Sequence, residues 1–446
     1  MARDSLGNTP QLNIAIVGTG ISGLAAAWLL NQKHNVTIFE KNEYIGGHSH
    51  TVCAHDGTNK LSIDTGFIVY NEANYPNLTA LFKHLNVPTT ESSMSFAASL
   101  EDGSFEYSGT DLNSLLGQRA NLFRPRFWRM IAGIARFYSD APRFFENESN
   151  LSLTLSQFLE KRNYDPSFVR DHLLPMGAAI WSTTTQEISE YPASSFIRFF
   201  QSHGLLNLTN RPKWRTVLGG SAEYVRRMTD TFFDKIFLDH VLSIHRTDSG
   251  VKLITSKGEN YRFDHVVLAT HADEALALLV DPCDFEVKVL SPWRYTKNEV
   301  VLHNEPSLMP KERRTWSSWN FVSTRHQEQG LCVTYWMNKL QRLNTTKQFF
   351  ITLNPFLNIS PDKIVSRHEY THPYFNEDTL KTQKNLWAIQ GIKRTWYCGS
   401  YFGFGFHEDG LQSALAVAEQ LGEVRRPWTV VGENNRLTIT SSMRKT

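Results

Sequence analysis

The sequence predicts an α/β chain: a discontinuous Rossmann-type nucleotide-binding domain interleaved with an α+β domain built on a mixed sheet. Three observations lead there. Residues 12–40 have the strand, glycine turn, helix and acid-tipped strand of a dinucleotide-binding unit. Further elements of the same type return at 218–279 and again at 396–421. The segments between them are rich in aromatic residues and lack that pattern. The nucleotide domain is therefore expected at 10–72, 215–289 and 385–425, the second domain at 73–214 and 290–384, and a polar tail at 426–446.

Residues 12–17 are a short apolar, β-branched run suited to a buried parallel strand. Gly18-Thr19-Gly20-Ile21-Ser22-Gly23 follows as G-x-G-x-x-G where that strand must turn into a helix. Gly18 takes the tight turn, Gly20 lets a pyrophosphate approach the backbone, and Gly23 lets the helix lie close on the strand. The helix at 22–31, with Ile21 and Ser22 at its start, aims its first N–H groups at the phosphates. Residues 36–39 form the next strand; Glu40 at its end, beside Lys41, is placed to accept hydrogen bonds from a ribose diol. An ordinary βα turn is the alternative, but strand, helix, second strand and acid all agree against it.

Gly46-Gly47-His48 is a second loop fit for close backbone approach, and Asp64-Thr65-Gly66 a third. His48 and His50 make an H-x-H pair. No third ligand is spaced to join them, so no metal is expected, and His48 is read as lying beside a phosphate or ring edge of the cofactor. A short helix at 78–85 and a hairpin from 95–100 and 104–107 open the second domain. Residues 117–139 interleave Arg119, Arg124, Arg126, Arg129 and Arg136 with aromatics and contain no acid. That pattern has two readings: a helix with a solvated arginine face, or a membrane-surface contact.

In 176–204, Trp181, Phe196, Phe199 and Phe200 are candidates for an apolar tunnel or simply core, and His203 is the group there able to move protons near pH 7. A satisfied structural histidine is its bland alternative. Strands are expected at 236–245, 251–255, 260–263 and 264–270, with helices at 221–229 and 273–279. Residues 290–384 carry strands at 300–303, 315–321, 331–338 and 349–353; His372, before Pro373, is a cavity group or a histidine in a surface turn. The last signature is Gly399-Ser400, a glycine-aromatic loop, His407-Glu408-Asp409-Gly410, and a helix at 412–421. It forms a second helix N-terminus facing a cofactor.

Composition sets the outer bounds. The chain has 446 residues, enough for two domains with sizeable cores, and its 41% hydrophobic and 20% charged content suits a folded protein. A net charge of +2 points to no nucleic-acid partner. Four scattered cysteines with no C-x-x-C argue against zinc or a redox dithiol and for a reducing compartment. The first ten residues lack an apolar core, so no signal peptide is expected, and no apolar run approaches the roughly 18 residues of a membrane span. The expected location is cytoplasmic, with peripheral membrane contact through 117–139 left open.

In order and spacing, Gly18, Gly20, Gly23, Glu40, Gly46, Gly47 and 64–66 resemble the flavin amine oxidase, protoporphyrinogen oxidase and phytoene desaturase superfamily. The resemblance implies noncovalent FAD, an amine-oxidase-like fold, and Val241 at the adenine. It also implies that Gly399, Ser400, Glu408 and Asp409 lie at the flavin half of the site, with His407 where the family has an aromatic residue. Cys398 and His407 would be the attachment points were the flavin covalent. His48 stands where the family has an Arg or Lys, which weakens a fixed cation at the flavin phosphate. His407 replaces the cage aromatic and no lysine is placed to reach the flavin; both weaken an amine substrate. The chemistry implied is loss of a hydride equivalent from a substrate C–H, giving C=C or C=N.

The strings NYPNLTALFKHLNVPT, WSTTT, FFQSHGLL, RPKWRTVLGGSAEYV and FGFHEDGLQSALAVAE look more specifically like NAD/FAD-binding oxidoreductases that accompany cyclopropane-fatty-acid synthases. That similarity covers most of 12–421 and implies an acyl-lipid substrate; His203 and His407 are the candidate catalytic groups from the residues themselves. The alternatives are an amine or polyamine oxidase releasing hydrogen peroxide, or a non-catalytic, FAD-stabilised partner of a lipid methyltransferase.

Overall fold

The glycine motif organises the structure as expected. In the computed structural model, which describes residues 10–146, 148–150, 152–207, 211–325 and 330–439, strand β1 (Asn13–Val17) runs straight into helix α1 (Ile21–Leu30), and β2 (Asn35–Glu40) returns beside β1. The expectation of no signal peptide in the first ten residues falls, but for Pro10, outside the described residues. A five-stranded sheet takes the order Ile236–Leu238, β2, β1, His265–Leu268, Thr395–Tyr397, every pair parallel. Its strands come from three widely separated parts of the chain. Parallel strands covered on both faces read as unbroken apolar runs, and His265–Leu268 is buried throughout. Helix α1 is buried on nearly all sides because the sheet lies under it and helix His407–Gly422 lies against it. Each fully buried leucine there, Leu24, Leu29 and Leu30, contributes about 2 kcal/mol of apolar burial.

The expected strand at 236–245 is two strands. Ile236–Leu238 joins the parallel sheet, whereas Val241–Thr247 turns away to pair with Gly250–Thr255 and, through it, Asn260–Phe263. The break falls at Asp239-His240, and a bulge follows between Val241 and Ser243.

The second sheet has seven strands in the order Ile364–Tyr374, Arg294–His303, Phe350–Leu353, Val333–Trp336, Trp319–Val322, Phe96–Leu100, Phe105–Ser108. Only the pairing of Trp319–Val322 with Phe96–Leu100 is parallel, so the sheet is mixed. The hairpin expected at 95–107 is present. The strand Ile364–Tyr374 was not expected from sequence, and it places His372 opposite Thr296 in mid-strand, not in a surface turn.

Between these sheet segments the chain builds a helical block. Helix Pro125–Asp140 buries Phe127, Met130, Gly133 and Phe137. Arg126 of this helix finds acids outside it, donating to both oxygens of Asp171 at 2.6 and 2.8 Å and to Glu101 at 2.5 Å. Helices Leu174–Trp181 and Ala193–Ser202 meet through aromatic rings, with Trp181 4.7 Å from Phe199 and 5.5 Å from Phe196. No helix among the described residues is long and apolar enough to cross a membrane.

The expected polar tail docks on the protein as far as it is described. Arg426 is 2% exposed and donates to Glu419 at 2.7 Å and Asn77 at 2.9 Å. Trp428 stacks on Trp28 at 5.7 Å. Arg436 donates to Asp409 at 2.9 Å and lies over the rings of Tyr75 and Phe404. Residues 440–446 lie outside the described residues.

Candidate functional site

A cavity of about 950 Å³ runs from the C-terminal edge of the parallel sheet to the helical block. Open α/β sheets bind ligands at that edge, where strands end and helices begin. One end of the cavity is made by the turn after β1, the end of β2, residues 239–242 and 269–271; the other end is aromatic.

The turn is built for a group that must touch backbone. A Cβ added to Gly23 would sit 1.9 Å from the carbonyl oxygen of Gly18, so only glycine lets α1 close on the turn. At Gly20 the same test meets nothing within 4 Å, so this backbone faces open cavity. Gly47 has φ +58° and a Cβ there would lie 3.0 Å from the Gly20 Cα, so the two glycine loops oppose each other across a narrow gap. The first N–H groups of α1 have no intrahelical acceptor, and its dipole favours an anion in that gap. Gly18, Gly20, Ile21, Ser22, Gly47, Gly66 and Ser400 all line the cavity. Gly23 does not; its role is helix packing.

Glu40 and Lys41 also line it. Glu40 is 5% exposed and held from both sides. Its Oε2 accepts from the Thr19 N–H at 2.9 Å and hydroxyl at 2.5 Å, and its Oε1 from the N–H and side-chain amide of Asn42 at 2.9 and 2.8 Å. A ribose diol would take the place of the Thr19 hydroxyl or the Asn42 amide. Lys41 pairs with Glu274. Val241 reaches the same wall because the chain breaks at Asp239-His240. Gly399 lies on the wall at the end of the strand Thr395–Tyr397. The cradle fits a dinucleotide, with anion donors at its centre and a fixed carboxylate at one end.

Two expected cofactor contacts are elsewhere. Glu408 and Asp409, in the first turn of helix His407–Gly422, do not line the cavity. Glu408 turns back to cap helix Pro76–His84, accepting from the N–H groups of Asn77 and Leu78 at 3.1 and 3.0 Å and from Gln412 at 3.0 Å. Asp409 accepts from Arg436 at 2.9 Å and from the Phe406 N–H at 2.8 Å. The physical reason is helical periodicity: only His407 in this turn points inward. Glu408→Ala is therefore expected to lower unfolding free energy by about 3 kcal/mol, through lost caps and unpaired buried donors. FAD affinity should change less than about threefold, well under 1.4 kcal/mol. Chemical denaturation and FAD titration of the same preparation check this.

Five histidines of the cavity wall carry depressed pKa values: His48, His203, His271, His372 and His407. Burial, then neighbouring His271, holds His48 down to about 4. Its Nε2 is buried and has no partner among the described residues. His407 stacks on Phe67 at 3.8 Å, bonds Ser49 through Nε2 at 2.9 Å, and is held at about 3 by burial and then His48. His203 is 2% exposed, stacks on Phe199 at 3.8 Å, and is held at about 3 by burial and then Arg436. Its Nδ1 lies 3.0 Å from both the Phe199 carbonyl and the Ser202 hydroxyl; a proton on Nδ1 satisfies the carbonyl and leaves the buried Nε2 with an unpartnered lone pair. His203 is thus a neutral acceptor, not a group titrating near pH 7, because aromatic rings replace water around it. His50 lies outside the wall, bonded to the Tyr370 hydroxyl at 2.8 Å. No cluster of metal-ligating side chains occurs among the described residues. Cys398 is buried and off the wall, and burial raises its thiol pKa.

Sequence reasoning missed Phe67, Tyr370, Phe404 and Phe406, all on the wall. An aromatic residue flanking the glycines of 399–410 was the available signal for Phe404 and Phe406. Nothing local marks Tyr370, whose strand is partly buried on both faces.

Residues 21–302 match the family model described as flavin containing amine oxidoreductase. Amine oxidase [flavin-containing] B of Sus scrofa is 25% identical over 283 residues, covering 58% of this chain and 50% of that protein. The chain thus spans about half the length of the curated relatives it matches first. Among solved structures, cyclohexylamine oxidase from Brevibacterium oxydans aligns with a TM-score of 0.65 at 17% identity, covering 92% of this chain and 100% of that one. The fatty acid isomerase from P. acnes that produces CLA aligns with a TM-score of 0.64 at 15% identity, covering 93% and 99%. At these identities the structures show a shared fold.

Proposed function

Because the chain belongs to the flavin-containing amine oxidoreductase family, we propose that it is an FAD-dependent oxidoreductase removing a hydride equivalent from a C–H bond of an apolar, acyl-chain substrate. One observation carries the substrate class: the helical end of the cavity is walled by rings and aliphatic chains and, among the described residues, offers no carboxylate to an ammonium ion. The acids on the cavity wall are Glu40, Asp239, Glu274 and Glu369. Glu40 is held by Thr19 and Asn42, Glu274 by Lys41, Glu369 by Lys297 and Asp239 by Ser256. The helical end instead presents Met176, Ile180, Trp181, Phe199 and Phe406, with Arg211 as its cation.

FAD, when bound, supplies the two-electron acceptor. The cradle of Gly20, Gly47 and the start of α1 would hold its pyrophosphate, and Val241 its adenine. The rings of Phe199 and Phe406, 4.9 Å apart, exclude water from carbon that gains cationic character as hydride leaves. Neutral imidazoles add no opposing charge. Forming C=C also releases a proton from the adjacent carbon, and that proton leaves to solvent, since the Nε2 of His203 on that wall is held too weakly basic to keep it.

A second reading is supported by the same nitrogen. A buried, neutral acceptor among aromatic rings also suits the N–H of an uncharged amine, and the family model bears an amine oxidase description. Anaerobic titration of the holoenzyme separates the two. Acyl lipids, including methylated and cyclopropane chains, are expected to bleach the flavin absorbance. Bleaching by amines alone, with hydrogen peroxide released in air, would replace the acyl reading with amine oxidation. No bleaching by either, together with co-purification of a lipid methyltransferase, would favour the non-catalytic partner.

A further inference from the structure

We propose that the face formed by residues 111–129 and 313–314 docks on an anionic membrane surface. The face consists of helix Leu112–Leu115, the 3₁₀ turn Arg119–Phe123 and the start of helix Pro125–Asp140. It concentrates large apolar side chains in water: Phe123 is 87% exposed, Leu112 77% and Trp128 50%. Helix Pro125–Asp140 spends its inward positions on Phe127, Met130 and Phe137, which leaves Trp128 and Arg129 outward. The Trp128 indole N–H already donates to the Leu122 carbonyl at 3.0 Å. Its ring is therefore free to enter an apolar phase without stranding a donor.

Positive charge predominates around this rim. Arg119, Arg129, Arg313 and Arg314 are exposed there. Arg129 is 61% exposed on its side chain and its acid, Asp165, is 3.8 Å away. Arg314 belongs to the face because its Cβ lies 3.5 Å from the Cβ position of Gly117. Asp111, which caps helix Leu112–Leu115 through the Ser114 N–H at 2.8 Å, is an opposing charge on the face, against four exposed arginines. Arg124 and Arg126 are excluded, since each is bound to groups of the fold: Arg124 to Ser104 and Arg126 to Asp171 and Glu101. An apolar centre with a cationic rim is complementary to lipid with acidic headgroups and not to water or to a basic partner. Gly133 packs this helix against Phe168, in the segment that leads into the cavity-lining Met176 and Trp181. The face thus lies on the block that covers the apolar end of the cavity.

The test is vesicle flotation of the holoenzyme at physiological salt. Wild type is expected to float with phosphatidylcholine–phosphatidylglycerol vesicles and to remain in the dense fraction with phosphatidylcholine alone. The double variant Phe123→Ser/Trp128→Ser should lose about tenfold or more of that binding, and Arg119→Gln/Arg129→Gln should lose most of it. Val431→Ser, at an apolar residue 96% exposed on the docked tail, should float as wild type. Flavin absorbance and melting temperature verify that each variant is folded. Wild type that never floats, or a Phe123→Ser/Trp128→Ser protein that floats equally well, overturns the proposal. So does a lipid-free wild-type dimer that this double variant converts to monomer, since the face would then pair two copies.

Discussion

Gly20→Val is expected to yield a folded protein that purifies without its flavin. A side chain at this position meets no protein atom within 4 Å at its Cβ, so the fold loses little. That empty space is where the two glycine loops and the start of α1 converge, and a valine there fills it. FAD affinity should fall by about 100-fold or more, roughly 2.7 kcal/mol. The apoprotein's unfolding free energy should stay within about 1 kcal/mol of wild-type apoprotein. Calorimetric titration with FAD and denaturation of both apoproteins give the two numbers. Retention of FAD within about threefold of wild type would show that the cradle is elsewhere. Gly23→Ala supplies the contrast: its Cβ would collide with the Gly18 carbonyl at 1.9 Å, so there the fold itself should fail.

Glu286→Ala should be the most damaging substitution for stability away from the cavity. Arg246 and Glu286 both have fully buried side chains. Two parallel bonds join them, Nη1 to Oε1 at 2.6 Å and Nη2 to Oε2 at 2.9 Å. The Tyr397 hydroxyl donates to Oε1 at 2.5 Å and the Cys283 N–H to Oε2 at 2.9 Å. Removing the carboxylate strands a buried guanidinium, a loss of about 3–5 kcal/mol. The network also ties Tyr397, the last residue of the edge strand, to helix Asp284–Leu290, so the Gly399-Ser400 wall should loosen with it. Burial alone would raise the Glu286 pKa, but the bonds from Arg246 and Tyr397 outweigh it and the net shift is downward. A depressed carboxylate stabilises the fold above its unfolded pKa, about 4.3, and that contribution is lost as pH falls through the folded value. Wild type should therefore lose this increment under acid, and Glu286→Ala should lack it. Urea midpoints across an acid series check both the size and the sign.

Several wrong expectations share one cause. Glu408 and Asp409 were read toward the cofactor because two acids open a helix beside a glycine loop. Which way they face depends on Asn77 and Arg436, residues that no local pattern connects to them. The strand at 236–245 looked continuous because both its halves are apolar; its break is set by which sheet each half joins. Ile364–Tyr374 was invisible because it mixes polar, charged and ring residues on both faces, so neither alternation nor an apolar run marks it. His203 looked like a group titrating near pH 7, and burial among the stacked rings, with Arg436 nearby, depresses its pKa.

By itself the sequence determined what short-range sterics and periodicity control. Residues 13–40 had to form strand, turn, helix and strand, and Gly20 had to leave its backbone open. The tertiary structure alone decided which side chains from distant segments share the cavity, and in what charge state. Glycine sterics and apolar spacing act within a few residues and survive any context. Desolvation and most of the ring stacking and carboxylate pairing depend on partners tens to hundreds of residues away, and exist only once the chain has packed.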